Sequence, residues 1–207
     1  MYEEEFKKIK LGVLHRLTHL QPTLTYHSPE HTLDVLEQCE RIAAAEGLTN
    51  ARELFLLRVA ALYHDTGFLN RYADHEEESC RIFLADVNGH LFSEEEKNDV
   101  LHMIMATRLP QQPTTLAEKI ICDADLDYLG RPDFPVIGDR LRREFLSHGI
   151  VADNEGWQDL QLRFLHAHQY HTNSSRILRE PIKQKHLQAC VRERELSIRE
   201  KELGMKG

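Results

Sequence analysis

Three short stretches of this chain concentrate the residue types that bind metal ions. They are Tyr26-His27-Ser28-Pro29-Glu30-His31, Tyr63-His64-Asp65 and Asp123-Ala124-Asp125-Leu126-Asp127. Imidazole and carboxylate together make a donor set of borderline hardness, which suits several divalent cations and does not choose among them. Such a cation acts as a Lewis acid and makes a bound water acidic, so the chemistry in view is that of a metal centre.

The elements that must position these groups are helices. On a helix His31 shares its face with Val35, Cys39 and Ile42, and His64 follows Leu57, Ala60 and Ala61 on one stripe. Both imidazoles should therefore point inward, where each needs a hydrogen-bonding partner or a metal. For one histidine alone, a satisfied core residue is the ordinary explanation. Asp65 directly follows His64, and adjacent helical residues diverge by about 100°. Both reach one ion only if the helix is ending, as Gly67 suggests. Buried carboxylates are uncommon unless paired or ligating. The three stretches together favour a mixed nitrogen and oxygen metal site.

The ordered set has a specific likeness. A first histidine, an apolar helix running into His-Asp, and a distant aspartate resemble the HD superfamily of metal-dependent phosphohydrolases. The flanks match as well: "AALYHDTGF" resembles the family's helix before His-Asp, and "EKIICDADLDYLGR" its late helix with the last aspartate. "YHSPEHT" resembles a segment of cyclic-nucleotide phosphodiesterases, which share this helical core. The likeness covers about residues 26–130.

The resemblance implies an all-α HD-domain, phosphodiesterase-like helical bundle with no β-sheet. It implies metal ligands at His31, His64, Asp65 and a late aspartate. Within the aspartate run it points to Asp125, with Asp123 as runner-up and Asp127 as a supporting or helix-packing residue. Asp65 would also be catalytic. His27, four residues before His31, matches the histidine that protonates the leaving oxygen in phosphodiesterases; otherwise it is a loop histidine before a cap. His75 in "DHEEESCRI" resembles an extra histidine that holds a second metal in some relatives. Their further histidine is replaced here by Thr107, and His102 is poorly placed to substitute. The expectation is one tightly bound Mn, Co, Fe, Mg, Ni or Zn ion, with His75 binding substrate. Arg108 and Arg131 are further candidates to grip phosphate, with ordinary surface arginines as the competing explanation. His166, His168 and His171 do not share a helical face and are read as structural or exposed.

The elements expected around these residues are helices over about 2–20, 28–46, 51–64, 74–87, 93–107, 114–128, 136–147, 154–170 and 176–203. Ser28, Ser93 and Thr114 are the expected caps, with Glu96 completing a capping box on Ser93. A single domain over 1–207 is expected, with a motif core at 26–130 and C-terminal helices at about 134–203. The Arg-, Lys- and Glu-rich tail reads as a solvated helix, or else as a partner helix joining copies of the chain.

Composition narrows the function further. The formal net charge is −8, which argues against a binder of nucleic-acid duplexes, since those present basic faces. A small phosphorylated substrate, such as a nucleotide, meets its positive charge at the metal instead. No apolar run is long enough to span a bilayer, and the N-terminus Met1-Tyr2-Glu3-Glu4-Glu5 is acidic. A cytoplasmic location without membrane partners is therefore expected. The four dispersed cysteines read as reduced core thiols. The expected function is hydrolysis of a phosphate mono- or diester. The competing one is a catalytically silent signalling or scaffold domain that binds metal and nucleotide without turnover.

Overall fold

The computed structural model describes residues 2–87 and 91–204. Among these residues ten α-helices run in the order α1 (Tyr2–Leu17), α2 (Pro29–Ala45), α3 (Ala51–Tyr63), α4 (His75–Asp86), α5 (Glu94–Ala106), α6 (Leu116–Asp125), α7 (Phe134–Ser147), α8 (Asn154–Ala167), α9 (Asn173–Leu178) and α10 (Glu180–Gly204). Short 3-10 turns, Thr66–Leu69 and Asp127–Gly130, follow α3 and α6. Among the described residues there is no β-strand, so the all-α expectation holds.

Local chemistry sets the boundaries. Ser28 caps α2, its hydroxyl accepting from the His31 amide at 3.3 Å, and Pro29 occupies the first helical position. Ser93 and Glu96 form the expected capping box on α5. The cap of α6 is Thr115 rather than Thr114, because Thr115 receives the Glu118 amide. Thr114 instead donates its own amide and hydroxyl to the Glu118 carboxylate. The expected helix at 114–128 stops at Asp125, where the chain tightens into its 3-10 turn. The expected tail helix divides near Arg179 into α9 and α10.

Two apolar clusters organise these helices. The larger joins α1 to α6 through residues such as Phe6, Cys39, Ile42, Leu57, Phe83 and Ile120. The smaller gathers Tyr26, Leu126, Tyr128, Leu129, Phe134 and Leu165, joining the turn after α6 to α7 and α8. The catalytic candidates lie where the clusters meet. The tail is less solvated than its composition suggests. Lys183 is buried and donates to the His168 carbonyl at 2.6 Å, while Arg194 pairs with Glu155 and Asp159 on α8.

The turn after α3 is where packing is least tolerant. The Gly67 amide donates to the Ser79 hydroxyl at 2.8 Å, and that hydroxyl donates to the His64 carbonyl at 2.6 Å. A Cβ at Gly67 would lie 1.9 Å from the His75 carbonyl oxygen. Close approach of the turn to α4 thus carries His75 toward Asp65. Gly67→Ala must push the two segments apart, so a stability loss of roughly 2–4 kcal/mol is expected in denaturant titration. A change below about 0.5 kcal/mol would show that the turn yields freely.

Candidate metal centre

His31 lies in the first turn of α2 and Asp125 is the last residue of α6. His64 follows the end of α3 with helical backbone (φ −51°, ψ −38°), and at Asp65 the backbone leaves the helix (φ −107°, ψ 5°). That break lets two neighbouring side chains serve one point. The His31 Nε2 atom lies 3.1 Å from Asp125 Oδ1 and 3.4 Å from Asp65 Oδ2. The His64 Nε2 atom lies 3.1 Å from Asp65 Oδ2 and 3.6 Å from Asp125 Oδ1. Ligand atoms of His31, His64 and Asp65 all fall within 4.8 Å of one another.

Two observations say that this cluster fits a cation. His64 Nδ1 donates to the Ala61 carbonyl at 2.8 Å, which leaves the Nε2 lone pair facing the carboxylates. His64 Nε2 and Asp65 Oδ2 are both buried with no hydrogen-bond partner. Orphaned buried polar atoms are costly unless a ligand satisfies them. Separations of 3.1–3.6 Å also match the edges, about 3–3.5 Å, between donors that each sit about 2.1 Å from one ion.

The electrostatics agree. Burial alone would depress the His31 pKa, but the hydrogen bond to Asp125 and the nearby Asp65 carboxylate outweigh it and lift it to about 9. Burial opposes ionisation of Asp125, yet His31 and His64 hold its carboxyl at about 2. Asp65 is likewise pulled below the usual carboxylate range by His64 and His31, against its burial. The bare cluster therefore gathers protons that a cation would displace.

The other two aspartates of the run are engaged elsewhere. Asp123 accepts from the amides of His171 and Thr172 at 2.7 and 2.8 Å and from the Thr172 hydroxyl at 2.6 Å. It anchors the loop before α9. Asp127 takes Arg41 at 2.6 Å and Arg179 at 2.9 Å, tying α2 and the C-terminal helices to the turn after α6. Asp125→Asn should accordingly lose metal, whereas Asp123→Asn should keep it and loosen the 168–172 loop. Metal analysis of the two variants with amide exchange of that loop checks this; the reverse pattern would reassign the ligand.

His27 and His75 flank the centre, both stacked on Phe68 with ring centroids 4.0 and 3.9 Å away. His75 Nε2 lies 3.4 Å from Asp65 Oδ1, the oxygen turned away from His31 and His64, and 3.5 Å from Glu76. Thr107 lines the same cleft, but its hydroxyl donates to the Ile104 carbonyl at 2.8 Å.

A residue that the sequence reading did not single out completes the arrangement. Glu144 on α7 is fully buried and accepts from the backbone amides of Tyr26 and His27 at 2.9 and 3.1 Å, from the Tyr72 hydroxyl at 3.0 Å, and from His27 Nδ1. Burial would raise its pKa, but the His27 contacts hold it below the usual range. With Nδ1 committed to Glu144, Nε2 is the His27 atom left for the cleft. The signal for Glu144 was present: with Phe134, Ile137, Gly138 and Leu141 it falls on one stripe of α7.

The two arginines are placed differently from the expectation that they grip phosphate. Arg108 is an exposed ion-pair partner of Asp74 and Glu77. Arg131 is held by Asp34 at 2.7 Å through Nη1 and by Asp133 at 3.0 and 2.8 Å through Nε and Nη2. Both guanidinium forks are occupied by carboxylates. His102 and His166 are exposed, His171 is half-buried and His168 contacts Lys183.

The helical fold and the His-Asp cluster define an HD-domain-like protein. The chain belongs to the HD-CE family, whose model matches residues 21–204. No curated protein matches the chain, and no solved structure does. Among the described residues no helix is long and apolar enough to cross a membrane.

Proposed function

We propose that this protein is a metal-dependent phosphohydrolase, acting as a phosphodiesterase or phosphatase on a small ester such as a nucleotide. The observation that carries the proposal is the convergence of two inward imidazoles and two carboxylates beside a histidine–glutamate pair. His31, His64, Asp65 and Asp125 would hold one divalent ion. When bound, that ion supplies Lewis-acid polarisation of the phosphoryl group and an acidic water.

The protein's own groups supply the rest. His27, oriented by Glu144, holds a proton at Nε2 for the departing oxygen, and the carboxylate beside its ring stabilises the charged imidazolium. His75 binds a phosphoryl oxygen. A second ion at Asp65 Oδ1 would find only His75 and Glu76, so it should bind weakly.

The test is a panel of phosphate mono- and diesters assayed with Mn²⁺, Co²⁺, Fe²⁺, Mg²⁺, Ni²⁺ and Zn²⁺. At least one ester should turn over, with loss on chelation and recovery on adding metal. A protein that holds metal and hydrolyses none of the panel would instead be the silent signalling domain.

A further inference from the structure

The cleft beside the His-Asp cluster is charged at one end only. Asp65, Glu76 and Asp125 lie at the metal end with His27 and His75. Away from it the walls are Leu141, Phe145, Trp157, Leu160, Phe164 and Leu165, all from α7 and α8. The cleft is continuous from Asp65 to these side chains, with a cavity volume of about 210 Å³, and is partly open to solvent. Among the described residues no lysine or arginine lines it. The amide of Gln161 is the one uncharged polar side chain among the α7 and α8 residues that line it.

We propose that this arm of the cleft receives the organic group of the ester, and that this group is uncharged and apolar. The inference rests on the phosphohydrolase reading for the phosphoryl end alone. A second phosphate extending into this arm would leave water without meeting a cation, and a buried unpaired charge is strongly disfavoured. An alkyl or aromatic group would instead replace water against leucine and aromatic rings. The substrate class is thus one phosphate on an apolar alcohol, which narrows the small-ester reading away from nucleotides and excludes nucleoside polyphosphates. Leu109, exposed at the mouth, extends the same apolar lining to the surface.

The chain's single tryptophan, Trp157, lines this arm and reports its occupancy by fluorescence. Mn²⁺-loaded protein would be titrated with methyl-, propyl-, butyl- and hexylphosphonate, which cannot be hydrolysed. A parallel series would use butanol, hexanol and octanol, which ask nothing of the metal. Kd should fall about fourfold per added methylene, the effect of burying one CH₂ group, and level off once the arm is full. Leu160→Asp should flatten the series while leaving methylphosphonate binding unchanged. Phe164→Ser is a second, milder variant expected to weaken the hexyl compound alone. Chain-length dependence in both series, with phosphonates no tighter than alcohols, supports the apolar arm and removes the metal–phosphate reading. Affinities independent of chain length in both series overturn the proposal whatever the metal does.

Discussion

Replacing His27 by alanine should leave the metal bound and lower kcat/KM by roughly 10²–10⁴-fold, the range for a positioned general acid. His27 is held on three sides: Glu144 takes Nδ1, Phe68 stacks on the ring, and its amide is bound to the same carboxylate. That hold separates it from a loose cap residue and is the basis of the proposed general-acid role. The loss should shrink with p-nitrophenyl esters, whose leaving group needs no proton. Glu144→Gln tests the positioning role separately. Its neutral amide still accepts from Nδ1–H but no longer stabilises the imidazolium, so turnover should fall less than in His27→Ala. Equal losses for good and poor leaving groups in His27→Ala would remove His27 from the chemistry.

The second large effect is expected at His64. His64→Ala deletes a fully buried imidazole whose tautomer is set by the Ala61 carbonyl. Loss of a mere supporting group around a metal weakens binding about 10–100-fold, so loss of a direct ligand should exceed about 10²-fold. The helical circular dichroism should stay near that of the unaltered protein, because the substitution leaves in place the apolar side chains of the large core joining α1 to α6. Undiminished metal affinity in the variant would take His64 out of the ligand set.

Much of this site was legible in the sequence because helix geometry is periodic. The inward face of His31 follows from apolar residues four, eight and eleven positions on, that of His64 from apolar residues seven, four and three positions back, and Gly67 announced the helix end that brings Asp65 round. The run Asp123-Ala124-Asp125-Leu126-Asp127 was harder. Adjacent carboxylates on a short helix point in different directions, and only tertiary packing shows where each finds its partner. Asp123 meets a loop 48 residues onward at His171. Glu144 lies 118 residues from Tyr26 and sits among Arg140, Arg142 and Arg143, so by composition it passes for a surface charge. Its place on the apolar stripe of α7 was the readable clue. The apolar cleft was hidden for another reason. A stripe such as Trp157, Leu160, Phe164 and Leu165 has the same spacing whether it closes a core or lines a cavity. Arg108 and Arg131 show the converse: a free arginine and a paired one are identical letters until the carboxylates opposite them are located.

The most direct test of this account is the metal content of the full chain, purified without added metal and dialysed to equilibrium against each divalent ion. One ion per chain is expected, retained in His27→Ala and lost in Asp125→Asn. No retained ion under any of these conditions, or an ion held equally well by Asp125→Asn, would contradict the assignment of His31, His64, Asp65 and Asp125 as its ligands.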